Sequence, residues 1–119
     1  MKPIIIKSQA EFDALPESFD KYTVIIIDSY KTLIIIKKHR KKSLIRVVRD
    51  SRVETWGDSR VYVSGNVYVR ALDNSRVDAG GNSVVDAMDE SRIVAGENSD
   101  VHIWHNATAT GTGKITICG

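Results

Sequence analysis

Asp73-Asn74-Ser75-Arg76-Val77-Asp78-Ala79-Gly80 is followed directly by Gly81-Asn82-Ser83-Val84-Val85-Asp86-Ala87-Met88 and then by Asp89-Glu90-Ser91-Arg92-Ile93-Val94-Ala95-Gly96. The three segments are one eight-residue unit, [Gly/Asp]-[Asn/Asp]-Ser-x-Val-x-Ala-x, and the frame runs from Arg49 to Thr112 as eight adjacent copies. A short fixed period predicts a solenoid, in which each repeat packs on its neighbours. Positions three, five and seven are small or β-branched, as in Ser75, Val77 and Ala79. That period of two marks the inward face of a strand. Positions eight, one and two collect Gly, Asp and Asn, which tolerate positive φ or bond their own backbone, so the chain turns there.

The outward residues set the number of units per coil, because residues one coil apart stack at about 4.8 Å. Position eight alternates: Trp56, Leu72, Met88 and Trp104 in one set of units, Ser64, Gly80, Gly96 and Thr112 in the other. Position six of the first set reads Glu54, Arg70, Asp86, His102, a column that alternates in charge as stacked neighbours should. Three units per coil would stack Trp56 on Gly80 and Glu54 on Asp78. The expectation is therefore an all-β fold, a two-sided parallel β-solenoid (β-helix) with about 16 residues per coil and a core of Ser, Val and Ala.

The chain divides into residues 1–40, an N-terminal cap containing a short α-helix, and residues 41–119, the regular octad solenoid, in one structural domain. Pro3 to Lys7 reads as a strand. Ser8 and Glu11 have the spacing of a capping box, and Phe12, Leu15 and Phe19 supply an apolar face to cover the first coil. Thr23–Asp28 and Thr32–Lys37 read as two Ile-rich strands buried on both faces. Gly113-Lys114-Ile115-Thr116-Ile117-Cys118-Gly119 reads as a further unit, still in frame, with Ile115 and Ile117 inward.

One cysteine, Cys118, allows no internal disulfide. The apolar run Ile4–Ile6 is too short for a signal peptide or a membrane span, so a cytoplasmic location with no membrane partner is expected.

Four surface features are candidates for function. Trp56, Leu72, Met88 and Trp104 form an apolar stripe four coils long, which reads as a protein interface or as packing on the flank of the sheet. Arg60, Arg76 and Arg92 stack in one column, unfavourable unless something negative sits on it. That could be a nucleic acid, a partner's carboxylates, or the neighbouring Asp58, Asp78 and Glu90. Lys37, Lys38, His39, Arg40, Lys41 and Lys42 are the densest charge in the chain and read as a polyanion site or as a solvated loop that keeps the Ile-rich strand from aggregating. The last coil, with Ile115, Ile117 and Cys118, presents an open parallel edge, which predicts a homodimer through that coil, head-to-tail stacking, or a small lid.

Other chemistry finds no support in the sequence. His102, His105 and Asp100 do not make a metal ligand set, since His102 is taken by the charge column and His105 by a turn. Thr108, Thr110, Thr112 and Thr116 resemble an ice-binding array, yet Tyr62, Asp78 and Val94 interrupt the same columns. No nucleophile and base lie at useful spacing, no Gly-rich phosphate loop precedes a helix, and the core is too narrow for a pocket, so no enzyme activity and no cofactor are expected.

The units beginning at Asp73 and Gly81 resemble the octad-repeat β-solenoid proteins of bacteria and prophages, mostly of unassigned function, and the resemblance covers residues 41–119. The opening Lys7-Ser8-Gln9-Ala10-Glu11-Phe12-Asp13-Ala14-Leu15-Pro16 looks like the leader that often precedes such repeats. What the resemblance implies is architecture, and a phage setting in which a small inhibitor of a host complex, of the anti-CRISPR kind, is one expectation. A weaker likeness to polymer-forming β-helix cytoskeletal proteins rests on fold alone.

Overall fold

In a computed structural model, which describes residues 2–118, the chain forms thirteen strands and one short helix. In order they are β1 (Ile4–Ile6), α1 (Gln9–Asp13), β2 (Ser18–Ile27), β3 (Leu33–Ile36), β4 (Lys41–Val47), β5 (Arg52–Thr55), β6 (Arg60–Val63), β7 (Tyr68–Ala71), β8 (Arg76–Ala79), β9 (Val84–Ala87), β10 (Arg92–Ala95), β11 (Asp100–Ile103), β12 (Thr108–Gly111) and β13 (Lys114–Ile117). They stack into two parallel sheets that share one core. A seven-stranded sheet runs β1-β2-β4-β6-β8-β10-β12 and a six-stranded sheet runs β3-β5-β7-β9-β11-β13. This is the two-sided parallel solenoid that the octads predict, and Arg60 pairing with Arg76 and Val69 with Val85 sets its coil at 16 residues.

The turns explain the repeat's punctuation. Position one takes positive φ at Arg49, Gly57, Gly65, Asp73, Gly81, Asp89 and His105. Gly81 combines φ of +61° with a Cβ that would strike the Gly65 backbone, so no other residue fits without rearrangement. On the turns that enter the seven-stranded sheet, each position-one side chain accepts the N–H one coil below. Asp73 takes Gly57 N–H at 3.0 Å, Asp89 takes Asp73 N–H at 3.1 Å and His105 takes Asp89 N–H at 3.4 Å. Two buried serines at position three close the same turns, as Ser59 Oγ donates to Trp56 O at 2.7 Å and Ser75 Oγ to Leu72 O at 2.8 Å, whereas the Oγ atoms of Ser83 and Ser91 have no hydrogen-bond partner among the described residues. A buried hydroxyl costs little once bonded back to backbone, as at Ser59 and Ser75.

In the six-stranded sheet Val53, Val69, Val85 and Val101 fill one inward column and Thr55, Ala71, Ala87 and Ile103 the next, while in the seven-stranded sheet Val61, Val77 and Ile93 stack beside Val63, Ala79 and Ala95. Toward the N-terminus the core widens to Ile25, Ile27, Ile34, Ile36 and Ile45.

The N-terminal end is closed by side chains. Ser8 caps α1 by accepting Glu11 N–H, and Glu11 Oε1 accepts Lys7 N–H at 2.6 Å, so the carboxylate reaches one residue beyond the usual capping box. Phe12, 1% exposed, covers the core, with Leu15 and Phe19 half-buried beside it. Gln9 pairs with β3 as another strand would: its Oε1 accepts Ile35 N–H at 2.6 Å and its Nε2 donates to Ile35 O at 3.0 Å.

Three expectations are corrected. β2 begins at Ser18 rather than Thr23, with a register shift against β4 between those residues. The Ile-rich strands are buried on one face only, with Leu33 45% exposed, because each sheet has the core on one side and solvent on the other. The last unit is not in frame. Lys114 pairs with Asp100, a step of 14 residues, because the turn at Gly111–Gly113 is two residues short. A change of two preserves strand parity, so Ile115 and Ile117 still stack over Val101 and Ile103.

Candidate functional site

The apolar stripe lies on the turns that leave the six-stranded sheet. Backbone bonds from Leu72 N to Thr55 O, Met88 N to Ala71 O and Trp104 N to Ala87 O, each 2.8 Å, hold its members in register. Trp56, Leu72 and Met88 are half-buried against the flank and Trp104 is 38% exposed, so a ridge reaches solvent while its base packs. Trp56 Nε1 donates to Glu54 Oε1 at 2.6 Å, which fixes the indole and takes the carboxylate away from Arg70.

On the outer face of the seven-stranded sheet, Arg60, Arg76 and Arg92 pair directly across β6, β8 and β10. All three are exposed. The neighbouring carboxylates, one of the three possible occupants, do not neutralise them: among the described residues, Asp58, Asp78 and Glu90 make no ion pair with any of the three. An open cleft of about 320 Å³ lies along the column, lined by Asp58, Arg60, Asn74, Arg76 and Arg92.

The basic loop splits into structural and free members. Arg40 lies over the Phe12 ring at 4.7 Å and its guanidinium donates to Lys38 O at 3.1 Å and Phe12 O at 3.4 Å, so it clamps the cap. His39 bridges two strands of backbone, and Lys42 Nζ donates to Asp20 O at 3.5 Å. Of the six residues of the basic run, Lys37, Lys38 and Lys41 are exposed, and their side chains make no hydrogen bond or ion pair among the described residues. A nucleic acid would therefore meet less free charge here than the sequence promised.

The six-stranded sheet carries the charge column in the expected order, Glu54, Arg70, Asp86, His102. Its upper part is a hydrogen-bonded chain. Tyr68 donates its hydroxyl to Asp86 Oδ2 and His102 Nδ1 lies 3.0 Å from Asp86 Oδ1, while Asp100 Oδ1, 3.5 Å from His102 Nε2, makes no hydrogen bond among the described residues. Burial, then the bond to the Asp86 carboxylate and its charge, push the Tyr68 hydroxyl up to about 12. Sequence reasoning missed Tyr68; the available signal was its diagonal position, one coil before Asp86 and two residues to the side.

At the far end, β12 and β13 carry no further strand among the described residues. Ile115 is 37% and Ile117 79% exposed, and Cys118 is exposed beside them. No helix among the described residues is long and apolar enough to cross a membrane.

No family model, curated protein or solved structure matches this chain.

Proposed function

We propose that this chain is a non-enzymatic protein-interaction module, a rigid β-solenoid that dimerises through β12 and β13 and presents a preformed surface to a protein partner. The observation that carries this reading is the ridge of Trp56, Leu72, Met88 and Trp104, four large apolar side chains held at 16-residue steps on one edge. Backbone ladders on both sides fix such a ridge, so docking on it loses little conformational entropy. The exposed Ile115 and Ile117 supply the self-association edge. Tail-to-tail contact reverses the solenoid axis, so the strands that meet run antiparallel and the pair closes after two copies. Head-to-tail growth would need the other end, where Gln9 and Phe12 already occupy the edge and the core. A cytoplasmic site of action and an inhibitory role against a host complex, of the anti-CRISPR kind, belong to the same proposal and draw on the likeness to octad-repeat proteins.

Light scattering tests it. The wild type is expected at twice 13.2 kDa and the Ile115→Lys/Ile117→Lys variant at 13.2 kDa. A Trp56→Ser/Trp104→Ser variant is expected to stay dimeric, leaving the ridge for the partner. A monomeric wild type refutes the dimer, loss of the dimer in the tryptophan variant makes the ridge the self-interface, and polydisperse growth favours a self-assembling structural β-helix.

A further inference from the structure

Two outward columns, one on each sheet of this solenoid, obey opposite rules. On the six-stranded sheet, Glu54, Arg70, Asp86 and His102 alternate in sign, and their upper part closes into hydrogen bonds. On the seven-stranded sheet, Arg60, Arg76 and Arg92 set like charge against like charge in direct register. Their side chains make neither a hydrogen bond nor an ion pair among the described residues, although carboxylates lie close by. Like charges directly opposite destabilise a sheet, so the column weakens the fold that carries it. It is also bounded, since Thr108 pairs above Arg92 and Leu44 lies on the strand below Arg60.

We propose that the Arg60–Arg76–Arg92 column is the docking site for an acidic helix of a protein partner, with carboxylates at i, i+3 or i+4, and i+7. The inference rests on the interaction-module reading and names the partner's chemistry. Adjacent strands are about 4.8 Å apart, so Arg60 to Arg92 spans about 9.6 Å. Seven residues of α-helix rise about 10.5 Å, and side chains at those three positions share one face. A helix laid along the solenoid axis thus brings one carboxylate to each guanidinium, whose planar fork donates two parallel hydrogen bonds to it. Nucleic acid is the poorer occupant. Asp58 and Asp78 line the same clefts as the arginines and repel a continuous phosphate backbone, whereas a helix brings charge only where the arginines are.

Fluorescence anisotropy with a labelled Ala-rich helical peptide carrying Glu at i, i+4 and i+7 tests this. Saturable binding to the wild type is expected, with the Gln-substituted peptide and the Arg60→Ala/Arg76→Ala/Arg92→Ala variant each weakening it by about tenfold or more. The single variant Arg76→Ala is expected to bind less while melting at higher temperature, a pairing that loss of a structural contact would not give. Equal binding of the Glu and Gln peptides, or no loss in the triple variant, overturns the proposal, as does tighter binding of a labelled single-stranded or duplex 20-mer in the same buffer. A dimer that ignores the Glu peptide refutes this inference alone, and a monomer that binds it refutes the dimer alone.

Discussion

The imidazole of His39 stands between two strands of backbone, its Nδ1 accepting Arg60 N–H at 3.3 Å while its Nε2 lies 3.2 Å from Ser43 O. In the coils above, the same N–H bonds the same carbonyl directly, as Arg76 N does to Ser59 O at 2.8 Å and Arg92 N to Ser75 O at 2.9 Å. His39 is thus a spacer in the ladder, and the geometry assigns its proton to Nε2. His39→Ala leaves both backbone groups without their partner and is expected to cost about 1 kcal/mol, near the lower end for such losses because the site is partly solvated. Urea denaturation should show this as a lower midpoint at unchanged m-value.

Gln9 holds a comparable place at the edge of β3. Replacing it by Ala frees the N–H and C=O of Ile35, both partly buried, and is expected to lose about 1–3 kcal/mol. Hydrogen exchange at the Ile35 amide should accelerate well beyond that at Ile45, which lies inside the opposite sheet with strands on both sides.

Tyr68 gives a pH signature. Its hydroxyl titrates near 12 in the folded chain against an ordinary value of 10.0, so the protonated form is favoured by folding. The stability this contributes is complete below pH 10 and is lost as pH rises through 12. Phenolate absorbance should show one tyrosine ionising late, absent in Tyr68→Phe, and Asp86→Asn should bring that titration part of the way back.

The fold was readable because the octad fixes three things together: strand parity, turn position and, through the outward Trp56-to-Trp104 series, the coil length. Each is local or periodic. The departures lie where the repeat is silent. Ser18-Phe19-Asp20-Lys21-Tyr22 lacks the frame, so its inclusion in β2 depends on pairing with β4. The shortened last turn was invisible because removing two residues leaves Ile115 and Ile117 facing inward in either register. At the surface, register could be read and pairing could not. The sequence stacks Arg60 on Arg76 on Arg92, but whether Asp78 or Glu90 reaches them depends on side-chain direction. The basic loop shows the same limit, since Arg40 becomes a clamp only once Phe12 has arrived beneath it from residues far away in sequence.

From β4 to β12 the step holds at 16 residues, which makes this part of the solenoid a graduated rule. Inserting or deleting one whole coil between β6 and β10 would lengthen or shorten each outward column by a single division of about 4.8 Å and leave both ends as they are. The reach of the surface is therefore an inheritable length, adjustable in whole divisions, and a lineage of such chains could be matched to partners of different size by counting coils rather than by redesigning contacts.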